Sequence, residues 1–217
     1  MIDKTPGRYI PALNYDWLTF LYDPLLRWTM PESAFKQRLV HQARIAGGHR
    51  VLDLGCGTAT LTLMIKNAQP GADVTGLDGD PKILELARSK AARARLDIHL
   101  DRAMAFDLPY RDGSFDRVVS SLVIHHLSRE NKLRTLREVF RVLRGGGELH
   151  VADFGKPHNF WMRLLSLFTR RLEHQLDNVQ GLLPEMIRSA GFERVEQTAT
   201  YSTIYGTLAL YRASKPE

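Results

Sequence analysis

The residues best placed to do chemistry lie in the stretch Val51-Leu52-Asp53-Leu54-Gly55-Cys56-Gly57-Thr58-Ala59. An apolar run of strand type enters two glycines one residue apart, and a helical pattern follows. Gly55 and Gly57 let the backbone turn sharply and come close to a ligand. The helix N-terminus beyond them, from Thr58 onward, offers N–H groups to a carboxylate. Asp53 places a negative charge beside the same loop. Together these groups suit a ligand with an ammonium group near its carboxylate, as in methionine. A nicotinamide dinucleotide would want G-x-G-x-x-G aimed at a pyrophosphate, and here the third glycine position is Thr60. The lysine of a phosphate-binding P-loop is also missing.

Asp78 ends the next apolar run, at about the distance beyond the glycine loop where such folds place a ribose-binding acid. A carboxylate there can accept from both ribose hydroxyls. The other role open to Asp78 is to cap a turn before Pro81, which suits Asp80 better. His125 and His126 follow a later apolar run. Histidine titrates near neutrality, so either one can act as a base; lining the pocket wall or capping the next helix are the alternatives. Cys56 reads as a small packing residue of the loop rather than a nucleophile.

Apolar runs alternate with segments of helical period, the pattern of a parallel sheet covered by helices. Strands are expected at 50–54, 73–78, 96–100, 115–121 and 148–153, with two more near 194–200 and 204–211. Helices are expected at 60–68, from Pro81 to about Arg95, through Leu133–Leu143 where Gly145–Gly147 stop it, and at 184–190. This is an α/β fold, doubly wound and Rossmann-like: seven strands, mostly parallel, the last antiparallel, with helices on both faces. In such a sheet ligands bind beyond the carboxyl ends of the strands.

Two segments stand outside the alternation. Residues 1–49, rich in aromatics such as Tyr15, Trp17 and Tyr22, read as an N-terminal helical cap on a domain spanning 50–217. Residues 155–183 read as a substrate-side insertion or lid. There Trp161, Leu164, Leu165, Phe168 and Leu172 form an apolar stripe opposite Arg163, Ser166 and Arg170. That stripe can pack on its own domain, on a second copy, or on an anionic membrane surface.

The composition agrees. In 217 residues, 44% hydrophobic and 25% charged, there is enough apolar material for one sizeable core. One cysteine excludes an internal disulfide and points to a reducing, cytoplasmic setting. The first residues lack the apolar core of a signal peptide, and no apolar run approaches the roughly 18–20 residues of a membrane span. The formal charge of +6 is spread along the chain without an aromatic-interleaved basic stripe or a metal-ligand pattern, which argues against nucleic acid as partner.

With these residues in view, the chain resembles the class I S-adenosylmethionine-dependent methyltransferases. The resemblance rests on Asp53-x-Gly55-x-Gly57, Asp78, the Asp107-Leu108-Pro109-Tyr110 run, Gly113-Ser114-Phe115-Asp116 and Arg141-Val142-Leu143-Arg144-Gly145-Gly146-Gly147, in that order. It covers residues 45–155 well and the last two strands loosely, and it is similar above all to the branch of the ubiquinone and menaquinone biosynthesis C-methyltransferases. It implies S-adenosyl-L-methionine as cofactor. Gly55, Gly57 and Thr58 would cradle the methionine part, with Asp53 meeting the amino group directly or through water. Asp78 would hold the ribose, Ala105 would approach the adenine through its backbone, and Ser121 would lie near the methionine end. Met104 stands where relatives often carry Asp or Asn against the adenine amino group; Met packs on a ring but bonds poorly, and Asp107 is the substitute at hand. Ala59 replaces a frequent third glycine. The expected activity is methyl transfer by in-line displacement to a small apolar, aromatic or lipid-like acceptor. The rivals are a cofactor-binding enzyme of other chemistry, a non-catalytic partner subunit, and a methyltransferase for protein or nucleic acid. The acceptor and the oligomeric state are not fixed by the sequence.

Overall fold

The computed structural model of the chain describes residues 32–156, 181–203 and 206–217. The aromatic part of the expected cap before residue 32, and the amphipathic stripe from Trp161 to Leu172, lie outside the described residues.

The order of elements is α1 (Glu32–Ala43), β1 (Arg50–Leu54), α2 (Thr60–Ala68), β2 (Asp73–Asp78), α3 (Pro81–Ala94), β3 (His99–Arg102), β4 (Phe115–Ser121), a 3-10 turn (Ile124–His126), α4 (Arg129–Val142), β5 (Leu143–Phe154), α5 (Leu183–Ser189), β6 (Glu193–Thr203) and β7 (Gly206–Ser214). One seven-stranded sheet runs β3-β2-β1-β4-β5-β7-β6. The first five strands pair in parallel, and β7 is antiparallel to both β5 and β6. This is the expected doubly wound sheet with its last strand reversed.

The central strands are apolar on both sides because both faces are covered. Val51, Val74, Val119 and Ala152 meet Phe35 and Leu39 of α1 and Leu61 and Ile65 of α2. Their neighbours Leu52, Leu77, Val118 and Val151 meet Leu136 and Val139 of α4 and Met186 and Ile187 of α5. Local chemistry sets the helix ends. Asp80 Oδ1 accepts from Lys82 N at 2.8 Å, with Pro81 at the first helical position. Ser128 Oγ accepts from Asn131 N at 3.3 Å.

Two expected boundaries move. The third strand begins at His99, not at Leu96. Arg95 closes α3 in the left-handed conformation and Leu96 N donates to Ala91 O at 3.2 Å, so Leu96 still belongs to the helix end. The glycines 145–147 do not stop α4. The helix ends at Val142, where Lys215 Nζ donates to the carbonyls of Phe140 and Leu143 at 2.8 and 2.7 Å. The glycines instead form the irregular start of β5, beside the register shift between Phe115 and Arg117. Among the described residues no helix is long and apolar enough to cross a membrane.

Candidate functional site

The carboxyl ends of β1, β2, β4 and β5 bring the expected site residues to one end of the sheet. The glycine loop is tied to β2: the N–H groups of Gly55 and Cys56 both donate to Leu77 O, at 2.8 and 2.9 Å. Gly57 N donates to Asp78 Oδ2 at 3.0 Å, and Asp80 N donates to Asp78 Oδ1 at 3.0 Å. Gly55 has φ +70° and a Cβ there would overlap the Val123 side chain, whereas Gly57 has φ +54° and a Cβ there would meet nothing within 4 Å among the described residues. The loop is thus closed by Val123 at Gly55 and, among the described residues, open at Gly57, the cradle expected where a ligand lies against backbone. Ala59 holds the left-handed conformation too, at φ +62°, which explains why glycine is common at that position.

Asp53 lies beneath the loop, 1% exposed, and accepts from Thr62 Oγ1 at 2.6 Å. Burial pushes its carboxyl up to about 6, and the Thr62 hydrogen bond opposes that push. Asp78 is also raised by burial, against the hydrogen bonds it accepts from Asp80 and Gly57.

The segment after β3 is fastened to the same place, since Ala103 N donates to Asp78 O at 3.2 Å. Met104 to Asp107 form a turn closed by Asp107 N on Met104 O at 3.0 Å, with Ala105 packed against the core. Two α4 residues hold the chain that follows. Glu138 Oε2 accepts from Leu108 N at 2.9 Å. Arg141 donates to Leu108 O at 3.0 Å, Tyr110 O at 2.7 Å and Asp112 Oδ1 at 2.9 Å. Arg141 was part of a motif in the sequence, but its grip on the Leu108–Asp112 loop became visible only with α4 placed beside that loop. The opposite charges at i and i+3 were the only available sign.

At the end of β4, Ser121 Oγ is buried without a hydrogen-bond partner among the described residues, and Leu122 adopts φ +60°. A leucine in that conformation stores strain, which is commonest at functional sites. Both histidines of the following turn are placed at this end of the sheet, their rings tilted by 40° with centroids 3.9 Å apart. His125 is 5% exposed. Its Nδ1 lies 2.8 Å from Asp153 Oδ1, and its backbone N–H donates to Asp153 Oδ2 at 3.2 Å. Asp153, the penultimate residue of β5, is fully buried. Burial pushes its carboxyl up, but the charge and hydrogen bond of His125, the Phe154 N–H and the charge of His126 together leave it below the usual carboxylate range. An ionised Asp153 accepts the proton on Nδ1 and leaves Nε2 as the basic nitrogen. In the sequence Asp153 carries one mark of a site residue, its position at the carboxyl end of a strand.

The doubly wound sheet with its last strand reversed, the glycine loop after β1 and the carboxylate at the end of β2 are the arrangement that the resemblance to one class implies, the S-adenosylmethionine-dependent methyltransferases. Residues 51–147 match the family described as a methyltransferase domain. The chain is 32% identical to an uncharacterized methyltransferase of Synechocystis sp. over 192 residues, covering 86% of this chain and 87% of that protein. It is 37% identical over 148 residues to a demethylmenaquinone methyltransferase of Thermus thermophilus, covering 67% of this chain and 63% of that relative's length. Among solved structures, a phosphoethanolamine N-methyltransferase 2 of Haemonchus contortus in complex with S-adenosyl-L-methionine superimposes with a TM-score of 0.69 at 17% identity, covering 85% of this chain and 53% of that one; this likeness shows the fold alone. The chain belongs to the class I S-adenosylmethionine-dependent methyltransferases, close to the menaquinone and ubiquinone branch, and its cofactor is S-adenosylmethionine.

Proposed function

We propose that the chain methylates a small apolar, aromatic or quinone-like acceptor, with His125 as general base. The observation that carries this reading is the His125–Asp153 contact of 2.8 Å at the carboxyl ends of neighbouring strands. The names of the demethylmenaquinone methyltransferase relatives support an acceptor of the quinone kind.

In this reading Gly55, Gly57 and Thr58 hold the methionine part of the cofactor, with Asp53 beneath it. Asp78 takes the ribose, and the Met104–Ala105 backbone lies along the adenine. Ser121, whose buried hydroxyl has no partner among the described residues, meets the methionine end. The open side of Gly57 and the orphaned Ser121 hydroxyl fit such a guest. When bound, the cofactor supplies an electrophilic methyl group on a sulfonium, whose departure as a neutral thioether asks for no acid. The protein's own work is alignment and exclusion of water. Asp153 fixes the ring of His125 and stabilises the imidazolium. His125 Nε2 takes the proton that a hydroxyl-bearing acceptor gives up as it attacks.

The test is label transfer from methyl-labelled S-adenosylmethionine into a cell extract and into demethylated hydroquinones, with the product identified by mass. Label in a small apolar product, lost on His125→Asn, is the expected result. Label confined to protein or nucleic acid, or none in any fraction, overturns the reading.

A further inference from the structure

The first turns of α1 carry a nearly buried ion pair that the site described above does not use. Lys36 Nζ lies 2.5 Å from Glu32 Oε1, the two side chains being 12% and 5% exposed. The direction of α1 puts this pair at the cofactor end of the sheet. Ala43, the last residue of α1, accepts from Arg117 Nε at 2.9 Å, and Arg117 is in register with Val51 near the start of β1. The last turn therefore sits at the amino ends of the strands, and the helix rises from there toward their carboxyl ends. Phe35 and Leu39 share a core with Val119, Ala152, Leu61 and Ile65, and α1 lies over β4 and β5 beside α2, the helix that follows the glycine loop. The Lys36 ammonium is among the groups that pull the Asp53 carboxyl down against the push of burial.

A cation there would complement the loop. The N–H groups of Gly55 and Cys56 serve Leu77 O, that of Gly57 serves Asp78 and that of Ala59 serves Cys56 O, so a carboxylate brought against the loop meets the first N–H groups of α2 and gains from a positive charge beside them. A nearly buried lysine–glutamate pair is also a poor way to stabilise a helix, because desolvation commonly outweighs the attraction between the partners. A ligand that brings a carboxylate to the pair gives it another purpose.

We propose that Lys36 is the counter-ion of the methionine carboxylate of S-adenosylmethionine, held in position by Glu32. The proposal rests on reading the glycine loop as the methionine subsite. The probes are S-adenosylmethionine and its decarboxylated form, which keeps the sulfonium and the ammonium. Calorimetry is expected to show that Lys36→Met weakens S-adenosylmethionine about tenfold or more, leaves the decarboxylated probe within twofold, and is rescued by Lys36→Arg. Retained binding of the decarboxylated probe also reports an intact fold; should Lys36→Met lose it, Lys36→Gln, which keeps length and polarity, is expected to give the same split. A loss of less than threefold for S-adenosylmethionine, or parallel losses for both probes in both variants, overturns the proposal. The loop reading fails separately, if Asp78→Ala leaves the affinity of the wild-type background unchanged for both probes.

Discussion

His125 and Asp153 are joined twice: Nδ1 to Oδ1 at 2.8 Å, and the histidine backbone N–H to Oδ2 at 3.2 Å. The second bond fixes where the turn sits and the first fixes how the ring faces, so one buried carboxylate sets both position and tautomer. Asp153→Asn is expected to keep the backbone bond and lose the charge that stabilises an imidazolium. General-base catalysis is worth about 10²–10⁴-fold, so turnover of a hydroxyl-bearing acceptor should fall by about two orders of magnitude, with cofactor affinity within twofold. Steady-state rates beside calorimetry decide the matter, and a fall of less than threefold would leave the pair a packing feature.

Asp78 has a double duty, because the carboxylate proposed to take the ribose also accepts from Gly57 N at 3.0 Å and so supports the loop. Losing hydrogen bonds to a charged group costs about 1.5–3 kcal/mol. Asp78→Ala should weaken S-adenosylmethionine at least roughly tenfold. Unchanged affinity in a folded variant would remove Asp78 from the site.

Where a feature is written in neighbouring residues, the sequence shows it. The turn at Gly55 and Gly57 demands glycine locally, Asp78 closes its own strand, and Asp80 with Pro81 marks a helix start, so all three could be read directly. Asp153 could not be paired with His125, because their meeting depends on β4 and β5 lying side by side, with Ser121 opposite Ala152. The α4–β5 joint was misread for the same reason: the group that satisfies the last carbonyls of α4 is Lys215, from the far end of the chain. The placing of Leu96 failed because a helix end borrows an apolar residue that looks like the start of a strand.

Asp53 should make cofactor binding depend on pH. In the empty protein burial holds its carboxyl at about 6, above its ordinary 3.8. A raised folded value contributes stability below the unfolded value and loses it as pH rises through about 6. An ammonium brought nearby favours the ionised form, so binding releases a proton. Affinity should therefore climb with pH through about 6 and level off above it. If binding lowers the carboxyl by one unit, the climb is about tenfold. Titrations at pH 5, 6 and 7.5 should show it in the wild type and lose most of it in Asp53→Asn. Equal slopes in both would place the titrating group elsewhere.

At the opposite end of the sheet a buried polar group should set the acid limit of stability. Gln42 Nε2 donates to Tyr211 O at 3.0 Å and faces His150 Nδ1 at 3.2 Å, which leaves the His150 proton on Nε2. That atom stands 3.2 Å from Glu148 Oε2, without the alignment of a good hydrogen bond, while Arg212 holds the other carboxylate oxygen at 2.6 Å. His150 and Arg212 keep the Glu148 carboxyl at about 2 against burial, below its ordinary 4.5. Burial keeps His150 below its ordinary 6.5, with Glu148 opposing. Both folded values are depressed, so both groups contribute stability that is present above their unfolded values and lost as pH falls. The histidine acts first, below about 6.5, and the carboxylate between 4.5 and 2. A carboxyl lowered by about two units is worth on the order of 2–3 kcal/mol when fully expressed. Urea unfolding at pH 7.5, 6, 5 and 4 should show a midpoint that falls steadily in the wild type. In His150→Gln, which keeps a polar group facing Gln42, the fall between pH 6.5 and 5 should flatten while the steeper loss near pH 4 remains. A wild-type midpoint that does not change from pH 7.5 to 4 would mean that this cluster carries no linkage to protons.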